Sequence, residues 1–134
     1  MSDSITFADL EGPGGNLAKG SEWPLEIWYE EVRNIPIADL ASGDVAKAIR
    51  QNVWLEQILP RAVEILKSDP AAGDKYEGEL VVALSSVPPA FWKSNTGLSR
   101  DVSAVVYASI SALEEDVRQD ADELLLKLRS FEVI

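Results

Sequence analysis

Apolar positions along the chain recur at helical rather than strand spacing. In "WPLEIWYEEVRNI", Leu25, Trp28, Tyr29 and Val32 fall at i, i+3, i+4 and i+7, one stripe of a helix. Pro24 suits a first helical position and Pro36 ends the segment. "ASGDVAKAIRQN" predicts a second helix, with Ser42 or Asp44 as cap and Val45, Ile49 and Val53 on one side. Leu55, Ile58, Leu59, Ala62, Val63 and Leu66 carry the period onward. Pro60 lies in their midst. It lacks an N–H and clashes with the carbonyl four residues back, so a kink or a fresh helix start is expected there.

Residues 76 to 87 read as another helix, with Leu80, Val81, Leu84 and Val87 inward. "VPPAFWKSN" is a break with a short turn that folds Phe91 and Trp92 back on the core. From Leu98 to Leu128 the period continues for about eight turns without Pro or Gly, which predicts one helix about 45 Å long or a bent one. Residues 1 to 22 are poor in core residues. "GPGGNLAKGSE" reads as a flexible loop, and Phe7 and Leu10 as the docking points of a short N-terminal turn. The fold class is all-α: an irregular multi-helix bundle with a long C-terminal helix, in one domain over residues 1–134.

Composition removes much chemistry. With no His and no Cys, Cys/His zinc sites and Ser-His or Cys-His nucleophile pairs are excluded. A formal charge of −11 without a basic run argues against nucleic acid and anionic membranes as partners, and favours a basic one. Solubility alone also explains such a charge. The N-terminus has no basic, apolar leader pattern and no window reaches transmembrane length, so the cytoplasm is the expected location.

Three clusters remain. In "DKYEGELVVAL" a phenol and two carboxylates precede an apolar run. On a helix Glu77 and Glu79 point about 200° apart, so they cannot share a metal unless the backbone there is irregular. Acids favoured by the dipole of a helix's first turn explain the motif without catalysis. In "EEDVRQDADE", Glu114–Arg118 and Glu123–Lys127 are i, i+4 helix supports. That leaves Glu115, Asp116, Asp120 and Asp122 as a docking face for a basic partner. The spacing is not that of a calcium loop, and neither a metal nor another cofactor is expected. Among the aromatics, Trp28 and Trp92 read as core; Trp23, just outside a helix, is a candidate contact.

The order of pieces from residue 25 to 95 resembles the contact-dependent growth inhibition (CDI) immunity proteins. The matching positions are Asp44, Gln51, Asn52, Leu59, Pro60, Leu66, Pro70, Gly73, Tyr76, Gly78, Leu80 and Trp92, with Glu79 where the pattern has Asp. The acidic C-terminal stretch lies outside the resemblance. It implies a non-catalytic, monomeric inhibitor of a toxin domain, often a nuclease with a basic cleft. The shared motif, with Asp44, Gln51, Asn52, Pro60, Tyr76, Gly78, Glu79 and Trp92, would then be scaffold. Toxin reading would fall to Glu26, Glu30 and Glu31, to Glu115, Asp116, Asp120 and Asp122, and to Trp23. A self-associating helical adaptor and a carboxylate-dependent enzyme are the competing expectations.

Overall fold

In the computed structural model, residues 5–11 and 24–130 are described. The chain falls into two compact units, Met1–Ala41 and Ser42–Ile134. All regular structure among the described residues is helical, as the apolar period requires.

In the first unit, α1 (Phe7–Glu11) opens with a reciprocal cap. Asp9 N–H donates to Thr6 Oγ1 at 3.1 Å, and Thr6 N–H donates to Asp9 Oδ2 at 3.0 Å. In α2 (Pro24–Val32), Trp28, Tyr29 and Val32 are buried, as the stripe requires. Phe7 stacks on Tyr29 with ring centroids 5.5 Å apart. Glu11 ties the two helices together. It accepts from the Tyr29 hydroxyl at 2.6 Å and from Arg33 Nη2 at 2.6 Å and Nε at 3.2 Å. The Arg33 hydrogen bond, against the cost of burial and aided by Tyr29, holds the Glu11 carboxyl below its usual pKa. A 3₁₀ turn, Ile37–Asp39, closes the unit. The Gly-rich expectation over residues 12–22 lies outside the described residues.

The second unit is built on α3 (Ser42–Arg50) and α4 (Leu55–Ser68). The link between them is a Schellman turn: Val53 N–H donates to Ala48 O at 2.9 Å and Asn52 N–H to Ile49 O at 3.1 Å. Asn52 takes the left-handed position, φ 58°. Asn is among the few residues besides Gly that visit this region routinely. Asn52→Gly should therefore change stability by only a few tenths of a kcal/mol, and Asn52→Val should lose about 1 kcal/mol, measured by urea unfolding.

The chain continues through α5 (Glu79–Leu84), α6 (Pro89–Ser94), α7 (Thr96–Ser109), a 3₁₀ turn Ile110–Ala112, and α8 (Glu115–Ser130). α3 packs on α4 and α5, α4 on α7, α7 on α6 and α8, and α5 on α8. Leu59, Leu66, Leu80, Leu84, Trp92, Val102, Val106, Ala121, Leu124 and Leu128 form the buried interior.

Three expectations are corrected. First, of the kink and the fresh start expected at Pro60, the fresh start does not occur, because α4 runs through it. Pro60 has no N–H to give the Glu56 carbonyl, and both residues are exposed. Second, the helix expected from Tyr76 begins only at Glu79, because Gly78 adopts φ 88°. Third, the long C-terminal period is two helices. Leu113 is extended (φ −96°, ψ 146°), and α8, the longer of the two, starts afresh after it. Local chemistry outweighs the period at this point. Ser109 Oγ donates back to Val105 O at 2.7 Å, a contact that loosens a helix end. Glu115 and Asp116 suit the first turn of a new helix. Arg118 Nη2, expected to support Glu114 at i, i+4, donates to the Leu113 carbonyl at 2.9 Å.

Candidate functional site

The carboxylate pair that invited a catalytic reading is separated by the fold. Glu77 is exposed, whereas Glu79 is 1% exposed. Glu79 Oε1 accepts the N–H groups of Asp74 at 2.8 Å and Lys75 at 3.1 Å, and Oε2 accepts from Arg50 Nη1 at 3.1 Å. Burial pushes this carboxyl up. The two backbone donors and the Arg50 guanidinium outweigh burial, so its pKa lies below the usual carboxylate value. Both oxygens are engaged, and the group acts as a clamp between α3 and the loop that precedes α5.

The same loop explains the glycines. Gly78 N–H donates to Ala71 O at 2.8 Å, and Leu80 N–H to Ala72 O at 3.1 Å. A Cβ on Gly78 would meet Val117 of α8 at 2.6 Å. α8 is therefore seated directly on this turn. Tyr76 sits outside it, 48% exposed. Of the other motif residues, Asp44 lies in the first turn of α3, Gln51 is exposed, and Trp92 is fully buried with its ring edge-on to Phe91.

The acidic candidates fall on two elements. On α2, Glu31 is exposed and Glu30 half-buried. Glu26 lies in the same helix, but its side chain is outside the described residues, as is Trp23 altogether. On α8, Glu115, Asp116 and Asp122 are exposed and Asp120 is half-buried. At about 100° per residue, Asp116, Asp120 and Glu123 share one flank, while Glu115 and Asp122 lie one above the other on a second row. Opposite them, Val117, Ala121, Leu124 and Leu128 face the core. Among the described residues no three carboxylates converge to hold a cation. Among the described residues the arrangement is a solvent-facing, negatively charged surface.

One feature of this helix was not anticipated from the pattern of the sequence. Asp122, Leu125, Leu126 and Arg129 of α8 face Tyr107 of α7 and Ile110 of the 3₁₀ turn across a groove of about 310 Å³. The available signal was the run Leu124–Leu125–Leu126. Only the first belongs fully to the core stripe, and Leu126 sits where a polar residue would be expected.

A family model of CDI immunity proteins matches residues 13–102, from the segment before α2 into α7. Comparison with curated proteins gives no match. The matched segment contains the α3–α4 link, the Glu79 clamp and buried Trp92, and it stops short of α8. With two thirds of its length accounted for in this way, the chain belongs to the CDI immunity protein family, which confers immunity to a CDI toxin.

Proposed function

We propose that the protein acts as a single domain and a monomer in the cytoplasm. There it binds the toxin domain of its own CDI system without catalysis and blocks a basic, nuclease-type cleft. The family match carries this reading. The charge of −11 supports its electrostatic part, because an acidic inhibitor is drawn to a surface built to hold phosphates. The solvent-facing carboxylates of α2 and α8 supply the charge for that encounter.

Binding to the cognate toxin domain, measured across a salt series, tests it. Glu115→Lys with Asp122→Lys, or Glu30→Lys with Glu31→Lys, should weaken binding about tenfold at low salt, mainly by slowing association, and should flatten the salt dependence. Unchanged affinity in both double reversals would remove the acidic faces from the interface. No binding to a folded toxin domain would remove the inhibitor reading.

A further inference from the structure

The two most exposed large apolar side chains among the described residues are Tyr107 and Leu126, each 67% exposed. Singly, exposed apolar residues need no explanation. These two border the same groove, with Ile110 and Leu125 half-buried along it and Asp122 and Arg129 at its polar edges. The stripe Asp122, Leu125, Leu126, Arg129 follows i, i+3, i+4, i+7, so one side of α8 carries it while the opposite side is buried in the core. The groove also lies wholly beyond residue 102, outside the segment matched by the family model.

Resting on the function proposed above, we propose that this groove is the apolar anchor of the toxin interface. Its occupant is a segment of a basic polypeptide that inserts an aromatic or aliphatic side chain between Tyr107 and Leu126 and sets a lysine or arginine on Asp122. Charge selects this occupant. The same helix carries Glu115 on the row of Asp122 and Asp116, Asp120 and Glu123 on the next flank, and the whole chain carries −11. A second copy of the chain would bring like charge against like charge. A groove of about 310 Å³ admits one or two side chains, the size of an anchor within a larger contact. The division of labour follows from the physics of association. Exposed carboxylates speed the encounter, whereas an apolar group excluded from water slows departure. An aromatic at the centre and a charged rim are the usual anatomy of such a contact.

The test uses the full chain and the cognate toxin domain, with association and dissociation rates followed for wild type, Tyr107→Ala, Leu126→Asp and Ile35→Ser. Ile35 is an exposed apolar residue outside the groove and serves as the control. Wild type and control should bind alike, while each groove variant should weaken binding at least about tenfold through faster dissociation, and the uncharged variant Tyr107→Ala should leave the salt dependence unchanged. Unfolding midpoints equal to wild type would show that both variants fold. Wild-type binding with both groove variants unaffected would overturn this inference and leave the proposed function standing. Failure of wild type to bind folded toxin would overturn both. Light scattering that finds a wild-type dimer dissociated by Leu126→Asp would give the groove to a second copy and overturn the inference as well.

Discussion

Gly73→Ala should be the most damaging single methyl addition in the protein, costing about 3 kcal/mol or more and lowering the melting temperature by roughly 10 °C. The site has no room. A Cβ there would lie 2.1 Å from the Tyr76 carbonyl oxygen, 2.8 Å from Glu79 Cβ and 2.9 Å from Glu79 N. Two of these atoms are backbone and cannot swing aside, so the loop itself would have to move off the Glu79 carboxylate. Gly78→Ala should cost less, about 2 kcal/mol, from the left-handed backbone at φ 88° and the contact with Val117. Its steric part should be partly relieved in the Gly78→Ala, Val117→Ala double variant, which a double-mutant cycle can read. A Gly73→Ala protein with the wild-type urea midpoint would refute this description of the loop.

The second large effect is at Glu79. Glu79→Ala should cost about 3 kcal/mol, because it empties a buried volume and strands the Asp74 and Lys75 N–H groups together with Arg50. The Arg50 side chain is 34% exposed, so the ion pair contributes the smaller share of that loss. The pH dependence has a definite sign. The folded-state pKa of Glu79 is depressed, so its stabilisation is complete above the unfolded value, about 4.3, and is lost as pH falls through the lower folded value. The stability gap between wild type and Glu79→Gln should accordingly shrink between about pH 6 and pH 3. A gap that stays constant over that range would show that the carboxylate's charge does not hold the loop.

Why the helices were readable and the clamp was not comes down to range. The stripes at Trp28, Tyr29 and Val32, at Ile58, Leu59, Ala62 and Leu66, and at Val102, Val105 and Val106 are local, and each is buried where the period puts it. The break at Leu113 was hidden because Val106, Leu113, Val117 and Ala121 keep spacings compatible with one continuous helix. Only backbone-directed bonds from Ser109 and Arg118 distinguish the two cases. The Glu79 clamp depends on Arg50, 29 residues away, and no local pattern announces such a partner. The Schellman position of Asn52 was available from residue type alone, as was the Thr6–Asp9 cap. The acidic face was plain in the sequence as charge. The groove beside it was not, since it requires α8 to lie back along the end of α7.

The link at Ile110–Glu114 has a consequence for protein engineering. It delivers α8 as a separate rod whose inward residues, Val117, Ala121, Leu124 and Leu128, are committed to the core, while Glu115, Asp116, Gln119, Asp122, Glu123, Leu126 and Arg129 are exposed. Substitutions at such exposed positions usually change stability by no more than about 0.5 kcal/mol. A library randomised at those seven codons, with the inward four held fixed, would vary the chemistry of the rod's outer surface on an unchanged body. The helix is thus a ready graft position for retargeting, one whose attachment and whose display surface can be altered independently.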